Sequence, residues 1–541
     1  MNKKEKRIKK VSEKQKISDI EKEQKIRKKI LKILSNVLFG RLVMCFALLA
    51  LQIVVVLLFT LRFSGHISYY LSVSILATTL FMIYLVNKKG KNEFKLAWLM
   101  PMILFPFFTI IAYVIYQIDY GGIKFKKRIV EEKKETDKFL PPFEQTKSSF
   151  EKYEKIKDLA YYLDNCGDYP SYENNQITYF PNGETFFPVF LEELKKAKKF
   201  IFIEYFIIKL DESWNQIFEI LKQKASEGVE VRVLLDALGS VTSASSAYVA
   251  TLKKYGIKAQ IFSPISPVFS IHYNNRDHRK IVVIDGKCSF TGGLNLSNEY
   301  FNIGKNKFKY WKDSACQICG KAIESFTVMF LHTWNIGLKK NNEAYQKYIK
   351  VDYDSYEENG LVCPYGDHAF NNEDVAENVY LWIINNAKKY VHITSPYLIL
   401  DNRLLNALIF ASHRGIDVSI IVPSKPDHFV TFAIGKTFIK NLVLNGVKVY
   451  LYKEDSFIHA KNFVSDDITA TVGSVNLDYR SLYHHFECGV LLHENKEVLK
   501  IEQDFQNTIK ESTLLEKDFY KKLPLMTKIV GELLRVMAPL F

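Results

Sequence analysis

The chain carries one short phrase twice. His278-Arg-Lys280-Ile-Val-Val-Ile-Asp285 and His459-Ala-Lys461-Asn-Phe-Val-Ser-Asp466 share the pattern His-x-Lys-x4-Asp, and seven residues past each Asp stands Gly292-Gly-Leu-Asn295 or Gly473-Ser-Val-Asn476. A single short motif always risks a chance match, but repetition with identical follow-on spacing removes that risk. Residues i and i+2 of a strand share a face, so each His and its Lys point together at one site while Arg279 and Ala460 face away. An imidazole attacks phosphorus or carries a proton near neutral pH. A lysine ammonium and an Asn amide hold the non-bridging oxygens whose charge grows in the transition state. That set suffices for phosphoryl chemistry without a metal. Displacement at a diester through a covalent intermediate needs a nucleophile and a general acid. Each phrase supplies one histidine, so two halves meeting along a pseudo-twofold interface would bring both to one phosphate.

Two further carboxylates occupy matching places, Asp313 in Trp311-Lys-Asp-Ser and Glu487 in Phe486-Glu-Cys. They either accept from the second ring nitrogens and orient the imidazoles, or are ordinary strand-end acids facing water. Asp285 and Asp466, at the ends of their motif strands, read as braces for a turn rather than substrate contacts.

The elements that must position these groups are also duplicated. From about Gln145 short apolar runs alternate with helical stretches, the pattern of α/β architecture. Ala197-Lys-Lys-Phe-Ile-Phe-Ile-Glu204 is echoed by Ala387-Lys-Lys-Tyr-Val-His-Ile-Thr394, and Gly228-Val-Glu-Val-Arg-Val-Leu-Leu235 by Gly415-Ile-Asp-Val-Ser-Ile-Ile-Val422. Tyr255-Gly-Ile-Lys258 likewise matches Asn445-Gly-Val-Lys448. Three echoes in the same order predict two similar α/β halves packed against each other, over 145–350 (motif 272–299) and 351–522 (motif 453–480).

The part before them differs in kind. A Lys-rich tail covers residues 1–41, and three apolar runs follow at about 42–61, 67–86 and 96–118, the last interrupted by Pro101 and Pro106. Runs of this length are expected to be membrane helices. The first two, joined by a short link, fit a hairpin with both ends in the cytoplasm by the positive-inside rule. If the third spans, the body lies outside; if its prolines mark a re-entrant or interfacial segment, the body stays inside, the side favoured here. Residues 523–541 fit an amphipathic helix, set either on the membrane or on its own domain.

With 48% hydrophobic residues and 14% aromatics, the chain is not a disordered one. Its formal charge of +15 favours anionic partners without choosing among nucleic acid, membrane surface and phosphorylated substrate. Seven scattered cysteines do not make a secreted disulfide framework. Cys316 and Cys319 lack the second ligand pair of a zinc site and are expected in a strand.

The doubled His-x-Lys-x4-Asp motif resembles that of the phospholipase D superfamily, and more closely that of bacterial cardiolipin synthases, from about Leu42 onward. Lys95-Leu-Ala-Trp98, Pro106 and Tyr113 to Tyr116 look like their hydrophobic N-terminal module. Further likeness lies in Ile203-Glu-Tyr205, Thr291-Gly-Gly-Leu-Asn295, Glu299-Tyr300, Trp311-Lys-Asp313, Thr394-Ser-Pro-Tyr397 and Asn476-Leu-Asp-Tyr-Arg480-Ser481. The resemblance implies that His278, Lys280 and Asp285 with His459, Lys461 and Asp466 form one active site. Asn295, Ser474 and Asn476 would hold phosphate, and Gly293 stands where the superfamily pattern has Ser. It implies no metal and no cofactor. The implied reaction joins two phosphatidylglycerol molecules into cardiolipin and glycerol through a phosphohistidine, with anionic phospholipids and the membrane as partners. No nucleic acid and no obligatory protein partner are expected. A hydrolytic phospholipase D is the nearest rival. A nucleic-acid phosphodiesterase is opposed by the three apolar runs, and a catalytically dead scaffold by two intact motifs.

Overall fold

The structure is a computed structural model that describes residues 50, 52–58, 60–62, 64–117, 120–141, 151–240, 243, 245–264, 275–338, 345–349, 351, 353–354, 356, 360–371 and 373–540. The basic tail and the start of the first apolar run lie outside the described residues.

The first half builds a seven-stranded sheet from β1 (Gln176–Phe180), β2 (Phe200–Tyr205), β3 (Glu230–Asp236), β4 (Lys258–Phe262), β5 (Lys280–Ile284), β6 (Cys288–Gly292) and β8 (Ala315–Cys319), in the order β1-β8-β6-β5-β2-β3-β4. The second half repeats that order with β9 (Leu361–Asp367), β10 (Tyr390–Thr394), β11 (Asp417–Val422), β12 (Lys448–Tyr452), β14 (Asn462–Ser465), β15 (Thr469–Gly473) and β16 (Glu487–His493). Its order is β9-β16-β15-β14-β10-β11-β12, with β17 (Ser512–Leu514) added beside β12. The echoed Gly-Val-x-Val phrases become β3 and β11, each parallel to the strand of the echoed Ala-Lys-Lys phrase. The two halves are therefore one α/β design used twice. Cys316 and Cys319 lie in β8, and the six cysteines among the described residues are free.

Strand periodicity explains how the sheets stack. Ile201 and Ile203 of β2 join a core with the helices Gly183–Lys196 and Glu212–Ser226, while Phe200 and Phe202 turn to the opposite face. That opposite face shares one core with Val464, Ala470, Val472 and Val490 of the second half. Helix Ile323–Ile336, buried over its whole length, completes it. Backbone pairing also crosses between the halves: β7 (Tyr310–Lys312) runs parallel to β13 (Ser456–Ile458), and Asp277 bridges Phe486.

Ahead of the sheets, α1 (Ile67–Asn87) is the one helix among the described residues long and apolar enough to cross a bilayer. It leaves Leu71, Ile75, Leu76, Leu80 and Ile83 exposed. The third apolar run, expected as one segment, is instead two helices, α2 (Asn92–Leu104) and α3 (Pro106–Gln117). Pro106 lacks an amide hydrogen and starts a helix well, so the break falls at Phe105. At 13 and 12 residues each helix is about 20 Å long, short of the ~30 Å hydrocarbon layer. Near the C-terminus, helix Leu525–Arg535 docks Gly531 against Ala433 of its own domain. It nevertheless keeps Leu525, Met526 and Leu533 exposed.

The motif aspartates hold the sheets together. Asp285, with φ of 55°, turns the chain from β5 to β6 and accepts from the amides of Lys198, Lys199 and Phe200 at 2.7, 2.7 and 2.8 Å. Asp466, with φ of 56°, accepts from Lys388, Lys389 and Tyr390 at 2.7, 2.8 and 2.9 Å. These amides belong to the two Ala-Lys-Lys phrases, which is why phrase and motif recur together. Asp285→Ala or Asp466→Ala leaves three amides without their carboxylate. The variants should melt several degrees lower, for a loss of about 2–3 kcal/mol each, while the folded fraction keeps its turnover. Thermal unfolding alongside rate per folded molecule checks this; a large fall in rate at unchanged melting temperature would contradict it.

Candidate functional site

The interface between halves decides where the histidines sit. The amide of His278 donates to the Phe486 carbonyl at 2.9 Å, and that of His459 to the Lys312 carbonyl at 2.7 Å. Phe486 and Lys312 each immediately precede a carboxylate residue, so each histidine is delivered to the acid of the opposite half. His278 Nδ1 lies 2.9 and 3.0 Å from the two oxygens of Glu487, and His459 Nδ1 lies 2.7 Å from Asp313 Oδ2. Both carboxylates are fully buried, which removes the reading as strand-end acids facing water. With a hydrogen on Nδ1 held by a carboxylate, each ring keeps the lone pair of Nε2 for the cavity.

Both histidines line a single cavity of about 400 Å³, together with Asn295, Asn476, Arg276 and Arg480. Aromatic rings wall it: Phe206 stands 4.8 Å from the His278 ring and Tyr300 5.5 Å from that of His459, centroid to centroid. Lys280 and Lys461 are buried beneath, with their ammonium groups donating to the carbonyls of His278 and His459. Lys461 Nζ also lies 2.6 Å from His459 Nδ1. An ammonium and an Asp313-bound Nδ1–H cannot both use that nitrogen, so one partner is engaged at a time. Asn295 is tied down, accepting from the Ile207 amide at 3.1 Å and donating to the Tyr300 hydroxyl at 2.8 Å. The Asn476 Oδ1 is buried without a hydrogen-bond partner.

Burial in this walled site disfavours charge, and neighbouring cations add to it. Desolvation first, then Lys280 and Lys461, hold His278 well below the ordinary histidine value. His459 falls to about 4 through burial and the Lys461 ammonium, against the opposing pull of Asp313. Burial likewise lowers Lys280 to about 8 and Lys461 to about 7, while Asp313 and Glu487 resist the change. The buried cations of this site are therefore held at a cost that a neighbouring negative charge would reduce.

Two placements implied by the resemblance differ from the structure, and one residue was missed. Asp285 and Asp466 brace their turns, as their place at the strand ends suggested, and lie about 20 Å from the histidines, at the far end of the motif strands, rather than in the cavity. Ser474 does not face the cavity as a phosphate donor, because its buried hydroxyl donates to Glu487 and accepts from the Cys488 amide at 3.0 Å. His485 was not singled out at all. Its ring lies 5.4 Å from that of His278, with Nδ1 3.6 Å from Glu487 Oε1, and neither ring nitrogen has a hydrogen-bond partner. The i, i+2 relation of His485 to Glu487 was the available signal. His278, His485 and Glu487 present donor atoms within 4.8 Å of one another, a spacing a metal could use. Four nearby cations, Lys280, Lys461, Arg276 and Arg480, make the place electrostatically poor for one.

The difference between the two glycine phrases now has a cause. A Cβ on Gly293 would lie 2.1 Å from Asp313 Oδ1, so the shorter acid of the first half needs glycine behind it. In the second half, Ser474 occupies the matching place and steadies Glu487 instead.

Comparison with known proteins agrees with this geometry. The family model described as "Cardiolipin synthase, PLD-like domain" matches residues 190–334 and 380–509. A cardiolipin synthase of Listeria welshimeri is 31% identical over 451 residues, covering 82% of this chain and 93% of that protein. Cardiolipin synthase 2 of Bacillus cereus is 33% identical over 470 residues, covering 85% and 88%. Among solved structures, the phosphatidylserine synthase of Haemophilus influenzae superposes with a TM-score of 0.55 at 16% identity, over 68% of this chain and 95% of that one, a likeness of fold.

Gly293→Ser should push Asp313 off His459 and lower turnover by about 10²-fold, as loss of an orienting partner does. Ser474→Gly, which removes a donor without adding bulk, should cost about tenfold. Steady-state rates on folded protein test the pair; equal rates for Gly293→Ser and the parent would show that Asp313 does not act through His459.

Proposed function

We infer the activity of this chain from the fact that it belongs to the cardiolipin synthase family, whose members carry a phospholipase D-like domain: it is a phosphatidyltransferase, and it converts two phosphatidylglycerol molecules into cardiolipin and glycerol. The observation that carries this reading is the pair of imidazoles, each held by a carboxylate of the opposite half, facing one cavity.

In the first step His278 Nε2 attacks the phosphorus, the bond from phosphorus to the glycerol oxygen breaks, and His459 gives that oxygen a proton. The phosphatidyl group is then held on His278. In the second step the hydroxyl of another phosphatidylglycerol gives its proton to His459 and attacks the phosphorus, which releases His278. Lys280, Lys461, Asn295 and Asn476 bind the non-bridging oxygens, whose charge grows in both steps. Neutral His278 is the form that burial favours. His459 must bind a proton to serve as acid, and the negative phosphodiester beside it raises its proton affinity above that of the empty site. On this reading the chain divides into a basic tail (1–41), a membrane module (42–118), two catalytic halves (145–350 and 351–522) and a C-terminal segment (523–541). The membrane module presents the site to lipid on the cytoplasmic side.

Purified enzyme given labelled phosphatidylglycerol should yield cardiolipin and free glycerol. Phosphatidic acid as the main product would make it a hydrolase. The two histidines separate in intact-protein mass spectrometry: His278→Ala should form no adduct. His459→Ala should accumulate phosphatidyl-enzyme from a nitrophenyl phosphatidyl ester, whose leaving group needs no acid. An adduct on His459 in the His278 variant would reverse the roles.

With that nitrophenyl donor, kcat/KM should not fall from about pH 7.5 to 5.5, because His278 remains neutral below the ordinary histidine range while Lys461, lowered to about 7, gains its charge as the pH drops. A nucleophile of ordinary value near 6.5 would lose about tenfold across the same window, so a tenfold fall would count against the burial effect.

A further inference from the structure

A second concavity of about 310 Å³ opens where α1 ends. Lys88, Lys89, Lys91 and Lys95 line it with Trp98 and Tyr113, and its far wall is Tyr483 and His484. Of the four lysines, Lys91 alone is neutralised, pairing with Asp374 at 3.0 Å and Glu377 at 2.7 Å. Lys88 Nζ donates to the Tyr113 hydroxyl and Lys95 Nζ to the Val86 carbonyl, both at 2.9 Å, and Lys89 is exposed. Among the described residues no carboxylate pairs with these three. The first turn of α2, which starts at the same recess, has no side-chain cap on its amides, and its one acid, Glu93, accepts from the Asn402 side chain and does not line the recess.

The depth of the recess identifies what would fill it. α1 exposes apolar side chains along its length and ends at Asn87, so the lysines that follow sit where hydrocarbon gives way to head groups. Trp98 and Tyr113, edge to face at 5.2 Å, are the ring types that settle at that level. Phe94 of α2 packs edge-on against Tyr479, Tyr483 and His484, with centroids 5.9, 6.0 and 5.4 Å away. His484 is followed directly by His485 of the candidate catalytic cavity. The recess thus lies on the membrane side of the segment that carries Glu487, and outside the cavity itself.

We propose that this recess is a second lipid site, which binds the head-group phosphate of an anionic phospholipid that is not undergoing reaction. Lys88, Lys89 and Lys95 surround the phosphate, and the acyl chains run along α1 into the bilayer. The lipid ties the membrane module to the segment Tyr479–Glu487 and so seats the catalytic cavity at the surface from which it draws substrate. This site goes beyond the proposed reaction, and its occupancy needs no turnover.

The test uses the full chain in phosphatidylcholine nanodiscs with phosphatidic acid carrying a photoactivatable diazirine near the glycerol. Phosphatidic acid is a monoester and is no donor for the proposed transfer. Adducts are expected within residues 85–98 or on Tyr483 and His484, and His278→Ala should label equally well. Changing Lys88, Lys89 and Lys95 together to Gln should lower labelling at least fivefold, on the scale of about that factor for one lysine near an anionic surface. Changing the same three to Arg should retain it, and Lys89→Glu alone, at an exposed position, should lower it without disturbing the fold. Equal labelling of the Gln and Lys89→Glu variants, or equal labelling by a phosphatidylcholine probe, overturns the proposal. Displacement of the probe by excess inorganic phosphate would assign the recess to free phosphate and overturn the lipid reading.

Discussion

The hydrogen bond from each imidazole to a carboxylate of the opposite half is the contact on which the rest of the molecule depends. Neither half contains a working pair: His278 needs Glu487 and His459 needs Asp313, across sequence separations of 209 and 146 residues. A hydrogen bond tolerates a displacement of only a few tenths of an ångström, so the two sheets must be locked in register with one another. The parallel pairing of β7 with β13, the bridge from Asp277 to Phe486 and the shared apolar core supply that lock. Breaking one partner away would take a hydrogen bond from a buried carboxylate, which costs about 1–3 kcal/mol. The interface is therefore held to its geometry by its own electrostatics as well as by packing.

Burial at that interface also sets the chemical temper of the site. Two lysines with values lowered to about 8 and about 7, and histidines kept neutral, describe a cavity that holds cations reluctantly while empty. In the proposed reaction a phosphodiester would bring negative charge to these cations, at the place where transition-state charge would grow. Such donors need no reorganisation during reaction. The aromatic wall of Phe206, Tyr300 and Trp311 puts low-dielectric surface beside these groups and strengthens each of these interactions.

The N-terminal helices are joined to this arrangement rather than merely tethered. The short helix α2 meets the C-terminal turn Ala538–Leu540 and, through Phe94, the segment that ends in Glu487. Lys91 reaches into the second half to Glu377. Exposed Leu525, Met526 and Leu533 lie on a helix docked to the same half.

The sequence by itself determined the family pattern and the duplication. Local patterns carry both: His-x-Lys at i, i+2 on a strand, and strand phrases repeated in one order, are short-range properties that survive without a fold. The bracing role of Asp285 and Asp466 was legible too, from their place at strand ends. Only the tertiary structure decided which carboxylate serves which histidine, because spacing along the chain says nothing about contacts that cross between halves. It also turned Ser474 away from the cavity, explained Gly293 by the space Asp313 occupies, and brought His485 in. Each of these depends on what stands within 3 or 4 Å from a distant part of the chain. The third apolar run differs: its prolines were visible in sequence, and the break into α2 and α3 falls at Phe105, just before Pro106, while Pro101 stays inside α2.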